Sequence, residues 1–464
     1  MKIHRITLED MLAARDRRAE IQRSMLGGDD GICLVCLTLN IAGDIKRTPM
    51  TRMLFGRGMK EFEALDLHVA DSRLIDEATG TEAFWLVNGD PERIKRDLEA
   101  IEDSFPAARL FDFDLLVRDP GEQNGQPASP RKLSRAIPRS CIICGAPAAE
   151  CARSRRHGLD AVRAETGRLL KEFCAETLAD AAVISLLEEL YTTPKPGLVD
   201  LANCGAHTDM DVPLFEKSAE SLRSYFRDAA ILGMDSCSMQ ELRERGLAAE
   251  QEMFRSTGGV NTHKGMIYSM GLLIAGMGKV LAESDSPERA DEDADAAVRY
   301  AAELAREDAA QQLGRSLADP ETNGGHVLKA FGAKGATGEA AAGFPDALYC
   351  ASRLGYYRES EETNGTGSGK AAYNTVYNKP GALAFCDSLM RLEDTNLLHR
   401  GGREGLDFVR SEAARIAETA GYDERISELE SLDAEMIRRR LSPGGSADML
   451  ALAYLIENWR AVMN

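Results

Sequence analysis

The stretch DPGEQNGQPASPRKLSRAIP (119–138) divides the chain, because the residues before it and the residues after it follow different rules. It is rich in Pro, Gly and polar side chains, carries no apolar period, and reads as a long loop or linker. Working outward toward the N-terminus, strand and helix patterns alternate. Residues 5–25 read as a charged helix, GICLVCLTLN (31–40) as an apolar strand and 51–66 as a helix. LHVADSRLI (67–75) and EAFWLVN (82–88) read as two strands about a Thr-Gly turn. PERIKRDLEAIEDSF (91–105) has Pro91 at a helix start with apolar spacing at Ile94, Leu98 and Ile101, and ARLFDFDLLV (108–117) is a final strand. The order β-α-β-β-α-β predicts a ferredoxin-like or similar α+β layer.

Working outward in the other direction, a cysteine cluster comes first, and from about Leu159 onward the period is helical throughout. Ile184, Leu187, Leu190 and Tyr191 predict one apolar face, and Met266, Met270, Leu273, Met277 and Val280 another. Glycines 265, 271, 276 and 278 on that second helix would let neighbours approach closely. The expected organisation is an α+β domain over 1–160 followed by an all-α domain over 165–464.

A chain of 464 residues suits two cores better than one. With 56 basic and 75 acidic residues the formal net charge is −19, so a nucleic-acid or anionic-membrane partner is not expected and any polyanion site must be a local basic patch. The N-terminus has no apolar core of a signal peptide. The run Met266–Leu281 is interrupted by glycines and Lys279 and falls short of the roughly 20 apolar residues of a membrane span, so it is read as a buried helix. Ten cysteines without an export signal point to a cytoplasmic protein with reduced thiols or metal ligands. GTGSGK (365–370) is not a P-loop: Asn364 stands where the first glycine belongs and Ala371 lacks the magnesium-binding hydroxyl, so a surface loop is expected.

Four segments of the helical half are more polar than a plain bundle requires. ELYTTPKPGLVDLANCGAHTDMD (189–211) gathers Lys195, Asp200, Asn203, His207, Asp209 and Asp211 after two helix-breaking prolines. Carboxylates two apart in a loop can both reach a hard cation such as Mg²⁺, although solvated capping acids would look the same. STGGVNTHKG (256–265) places Asn261, His263 and Lys264 at a helix start, a natural phosphate cradle. GAKGATGEAAAGFP (332–345) surrounds Glu339 with glycines, and LEDTNLLHRGG (392–402) carries Asp394, Asn396, His399 and Arg400. Together they point to a phosphate- and metal-handling cleft.

In the first half, Asp112 and Asp114 alternate with Phe111 and Phe113, so both carboxylates share one strand face and could ligate Mg²⁺; the placement of Arg109 relative to them stays open. Between 131 and 168 nine Lys/Arg stand against three acids, a local excess of six positive charges that suits a polyphosphate or an acidic protein, or else a solvated basic helix. Arg153 and Arg155 lie in it. Cys141-x2-Cys144-x6-Cys151-x5-His157 has the count and spacing of a Cys3His zinc site, against the alternative of ordinary core cysteines.

The four polar blocks of the second half, in this order over roughly 180–455, resemble the signature segments of triphosphoribosyl-dephospho-CoA synthase. LTLNIAGDIKRT (37–48), ARLFDFDLL (108–116) and SCIICGAPAAECARSRRH (140–157) resemble apo-citrate lyase phosphoribosyl-dephospho-CoA transferase, so the whole chain resembles the fused bifunctional form. Ala42 departs from the Pro of many transferases, and Asn323-Gly324 from the His-Gly of many synthases. The resemblance implies that ATP and 3′-dephospho-CoA are joined with loss of adenine, and that the product is attached to a serine of the citrate lyase acyl carrier subunit with loss of diphosphate. It implies Asp209 and Asp211 for magnesium or oxocarbenium stabilisation, and Lys195, His263 and Lys264 for phosphates. Asp200, His207, Glu339 and Asp394 become candidate bases or metal ligands. Asn203, Asn261, Asn396 and Arg400 become substrate contacts, with Asn40, Lys46, Arg109, Arg153 and Arg155 for the second reaction, beside Asp112 and Asp114. Two other readings fit less of the pattern: a magnesium-dependent ADP-ribosyl hydrolase-like enzyme, and a non-catalytic carrier-binding module.

Overall fold

The computed structural model describes residues 5–26, 32–118, 130–283, 290–318, 323–363 and 378–463. The GTGSGK stretch and residues 119–129 of the expected linker lie outside them. The chain divides into two compact units, the first built on residues 1–174 and the second on 175–280 and 290–461.

The first unit runs α1 (Leu8–Met25), β1 (Ile32–Leu39), α2 (Pro49–Glu63), β2 (Val69–Glu77), β3 (Gly80–Asn88), α3 (Pro91–Glu102), a 3-10 turn (Pro106–Leu110), β4 (Phe111–Arg118), β5 (Pro130–Lys132) and α4 (Ala148–Ser154). The sheet order is β2-β3-β1-β4-β5, every described pairing antiparallel. Thus β1 and β2 flank β3, and β3 and β4 flank β1, which is the split β-α-β arrangement expected from the element order. β5 is an addition: Pro130–Lys132, expected to be linker, pairs with β4 at Leu116–Arg118.

β1 explains its own composition. Cys33, Val35 and Leu37 pack with α2 and α3 in one core, while Leu34 and Cys36 pack with Ile21 and Met25 of α1 in another. A strand covered on both faces has no solvent side, so ICLVCLTL runs apolar without alternation. Local signals fix the helix starts: Thr7 and Asp10 form a capping box on α1, and Asp90 caps α3 with Pro91 in its first turn.

The second unit is all helix, as expected. Helix α5 (Leu159–Tyr191) enters it from the first unit at residue 175, and α6 (Val212–Ser221), α7 (Arg223–Met234), α8 (Met239–Thr257) and α9 (Lys264–Glu283) follow. It continues with α10 (Ala290–Ala318), α11 (Asn323–Phe331), α12 (Gly335–Ala342), α13 (Pro345–Thr363) and α14 (Lys379–Arg391), then α15 (Thr395–Ala417), α16 (Tyr422–Arg439) and α17 (Gly444–Met463). Met266, Met270, Leu273, Met277 and Val280 are all buried on α9. That helix is long and apolar enough to cross a membrane by composition, and 78% of its apolar window is buried inside the protein. Gly276 and Gly278 make this possible: a Cβ there would collide with the carbonyl oxygens of Ala297 on α10 and Ala230 on α7. The expected face of α5 is corrected. Ile184 is exposed, and the buried stripe is Leu178, Ala182, Leu186 and Leu190.

Candidate active site

The helical unit encloses a cavity of about 1170 Å³. The four polar segments of the sequence all reach it, and so does a fifth, Ser442–Ala451, whose signal (a Pro-Gly-Gly turn ahead of a helix) resembles the other four. Four helices begin at its wall: α9 at Lys264, α12 at Gly335, α15 at Thr395 and α17 at Gly444. Each helix start carries about half a positive charge, so their convergence makes the wall favourable to an anion.

The side chains divide into those that build this wall and those that are free to act in it. Asp394 caps α15 by accepting from Asn396 N (2.9 Å) and Leu397 N (3.1 Å), and it reaches α17 through Ser446 N (2.8 Å) and Oγ (3.0 Å). Asp200 is buried and accepts from Lys195 N, Ala202 N and Asn203 N, at 2.8–3.1 Å. Asn203 donates to Asp433 at 2.8 Å, and Asp433 also takes Gly197 N. Asp200 and Asn203 therefore build the loop and do not line the cavity. Neither do the expected magnesium pair. Asp209 has a side chain 61% exposed, and Asp211 is the exposed N-cap of α6, accepting from Leu214 N at 3.0 Å.

Lys195, His207, Asn261, His263, Lys264, Glu339, Asn396 and Arg400 all face the cavity. Lys195 is buried in an ion pair with Glu189. His263 is buried with Nδ1 2.7 Å from Ser218 Oγ; burial first, then the Lys195 charge, push it down to about 3. It enters as a neutral imidazole and not as the cation expected for a phosphate ligand. Asn261 caps α9 through Lys264 N (3.3 Å), and Lys264 pairs with Glu250 at 2.6 Å. Arg400 donates to Ala206 O at 3.2 Å, and Lys334 reaches the same cavity as an exposed cation. Burial, and secondarily the Asp346 charge, push Glu339 up to about 7; its Oε1 accepts from Asp346 N at 2.7 Å.

Asp448 was not foreseen. It lines the cavity with Oδ2 2.5 Å from where a Gly265 Cβ would stand, so a side chain at 265 would displace the carboxylate. Among the described residues it has neither a hydrogen bond nor an ion pair, and burial together with the charges of Glu189 and Asp394 raises its pKa well above the carboxylate range. A half-buried carboxylate on the cavity wall without a protein partner calls for a functional account.

In the first unit, Asp112 and Asp114 do share one face of β4, since Phe111 and Phe113 are buried on the other. Asp112 pairs with Arg139 at 3.1 Å and Asp114 with Lys132. Burial first, then Asp112, raise the pKa of Asp114. Arg109 sits in the 3-10 turn, so strand parity does not apply to it, and it donates to Ser140 O. Lys46 donates to Ile41 O and Asn40 is exposed. The centre that sequence reading missed is Glu102, buried, which accepts from Phe113 N at 2.7 Å and pairs with Arg135 (2.6 Å) and Arg139.

Residues 175–463 match the family described as ATP:dephospho-CoA triphosphoribosyl transferase, and residues 6–173 match apo-citrate lyase phosphoribosyl-dephospho-CoA transferase. Protein CitXG of Haemophilus influenzae is 30% identical over 485 residues, covering 98% of this chain and 97% of its own. The 2-(5''-triphosphoribosyl)-3'-dephosphocoenzyme-A synthase of Klebsiella pneumoniae is 35% identical over 306 residues, covering 63% of this chain and 94% of its own. Protein CitXG of Leuconostoc mesenteroides is 26% identical, with 97% of both chains covered.

The chain belongs to these two families, joined in one polypeptide. It is a bifunctional transferase of citrate lyase prosthetic-group synthesis, using ATP and dephospho-CoA. The triphosphoribosyl transferase family spans the helical unit and hence the whole cavity. The apo-citrate lyase transferase family spans the sheet unit, and there the ion pairs thin out the expected basic patch. Lys132, Arg135, Arg139, Arg163 and Arg168 are each paired with a carboxylate. Arg131, Arg153, Arg155 and Arg156 have no acidic partner among the described residues, and three of these four sit on or just after α4.

Proposed function

We propose that the helical cavity seats ATP with its triphosphate against the four helix starts, and that 3′-dephospho-CoA attacks the ATP ribose there. The observation that carries this is the convergence of α9, α12, α15 and α17 on one polar cavity large enough for two nucleotides. The dephospho-CoA ribose 2′-hydroxyl oxygen bonds to C1 of the ATP ribose. The C1–N bond breaks with its electron pair going to adenine, which takes up a proton as it leaves. Asp448 takes the hydroxyl proton, since the other carboxylates of the cavity already hold a helix start, a turn, a lysine or, for Asp346 and Glu393, an arginine. Arg400 and Lys334 give cationic contacts to phosphate. Glu339 and Asp346 are the carboxylate pair with oxygens to hold magnesium, which would supply charge neutralisation on the triphosphate.

In the sheet unit, the carrier serine attacks the phosphate nearest the new ribose and diphosphate leaves. Arg153, Arg155 and Arg156 meet the departing charge and the acidic carrier. A cytoplasmic setting supplies both nucleotides.

The test follows two products. Purified protein with ATP should release adenine only when dephospho-CoA is added, and Asp448→Asn should lower that release by at least 10²-fold. Adenine release without dephospho-CoA would favour the hydrolase reading. A mass increase on the apo carrier subunit, accompanied by diphosphate, separates transfer from mere docking.

A further inference from the structure

Residues 137–158 fold into a defined shape with almost no core. Cys151 is the one residue of the 22 that is buried, while Ile137 and Ile143 are 76% and 38% exposed. Yet the backbone is well ordered by short-range bonds. A tight turn closes through Cys141 N to Ala146 O (2.6 Å) and Gly145 N to Cys141 O (3.0 Å), with Gly145 at φ +74°. Ser140 and Pro147 bridge, α4 follows, and Arg155 in the left-handed region turns the chain so that Arg156 N reaches Cys151 O (3.1 Å). A segment this small without apolar burial needs another stabiliser.

At the middle of it the Sγ atoms of Cys141, Cys144 and Cys151 and a ring nitrogen of His157 all lie within 4.8 Å of one another. Cys144 Sγ is 3.6 Å from Cys151 Sγ and 3.3 Å from His157 Nε2. With Zn–S about 2.3 Å and Zn–N about 2.0 Å, the ligand atoms of a tetrahedron stand roughly 3.3–3.8 Å apart, so these spacings accept zinc with little movement. Three cysteines also leave one thiol over from any disulfide.

We propose that Cys141, Cys144, Cys151 and His157 bind one zinc ion as a closed structural site, which holds this segment in its fold. Three thiolates and an imidazole fill the coordination shell, so no position stays open for substrate. Binding expels three thiol protons and leaves a site of net charge −1, beside which Arg156 lies against Cys144. The pinned turn carries Arg139, paired with Glu102 and Asp112, and Ser140, whose carbonyl accepts from Arg109. Zinc thus positions the cations that face the β4 carboxylates.

Metal analysis of the purified full-length protein, prepared under reducing conditions, should find about one zinc per chain. Cys144→Ser and His157→Ala should each lose it, and Cys204→Ser, an exposed cysteine elsewhere, should keep it. Should the site variants fail to fold, the wild type answers by itself: cobalt exchange should give the intense visible bands of a tetrahedral thiolate site, and chelation should lower the melting temperature of the sheet unit. Soluble, folded wild type with no more than a tenth of a zinc per chain, or a Cys144–Cys151 disulfide in its mass spectrum, would overturn the proposal. So would zinc retained in Cys144→Ser.

Discussion

His207 Nε2 lies 2.8 Å from Ser442 Oγ, joining the 192–211 loop to the approach to α17 across 235 positions. Its other ring nitrogen faces Arg400 at 3.4 Å, and burial, aided by that cation, lowers its pKa. A neutral histidine held between a serine and an arginine positions the arginine. His207→Ala should therefore raise the ATP KM about 3- to 10-fold, the worth of one such hydrogen bond, with a smaller change in kcat. Steady-state adenine release measures both, and a fall in kcat alone would give His207 a chemical role instead.

Asp209→Asn and Asp211→Asn should leave adenine release within a few-fold of wild type, because neither side chain lines the cavity. Asp211→Ala should cost about 1 kcal/mol of stability as a lost helix cap. A 10²-fold loss of turnover in either Asn variant, with the melting temperature unchanged, would return these acids to the catalytic centre.

Asp394→Ala should behave in the opposite way. It leaves the first N–H groups of α15 and α17 without their shared acceptor, so about 1–3 kcal/mol of stability should go. Chemical denaturation is the measurement. Full stability with lost turnover would mean that Asp394 acts on substrate.

The pH dependence of stability should carry a His263 component. Its folded-state pKa, about 3, lies below the free value of about 6.5, so the unfolded chain binds the proton first as pH falls. That contribution is intact above pH 6.5 and is lost progressively toward pH 3. His263→Asn, melted across that window beside wild type, should show a shallower decline; parallel curves would mean that the imidazole is not buried.

Arg153→Ala or Arg155→Ala should slow modification of the carrier tenfold or more and leave adenine release near wild type, since both lie in the sheet unit. Added salt should weaken carrier binding in the wild type more than in the variants. Equal loss of both activities would point to one shared site.

What the sequence disclosed, and what it hid, follows from how far apart the partners lie. Period and caps are local, so α3 with Asp90 and Pro91, and the α9 stripe from Met266 to Val280, were legible. Ile184 was misassigned because an apolar residue beside a buried stripe looks the same as one within it until a neighbour arrives. STGGVNTHKG (256–265) was legible as a helix start, and the other glycine-rich blocks only as polar clusters. The division of labour among their acids was not: Asp394 and Asp448 both stand near glycines, and only the structure shows that one caps α15 and reaches Ser446 N while the other is left unpartnered. Glu102 had no signal at all, since its meaning comes from Arg135 and Arg139 on a segment that returns more than 30 positions later.

The cavity wall is drawn from positions 186 through 451 of the chain. With ATP seated there as proposed, no early-forming fragment holds it, and nucleotide affinity should be the last property to appear as the helical unit refolds. Because the ligand can bind only the finished arrangement, it must stabilise that arrangement as a whole, by an amount set by its concentration over its dissociation constant. In a cell, scarcity of ATP would then shorten the lifetime of this enzyme as well as starve it of substrate.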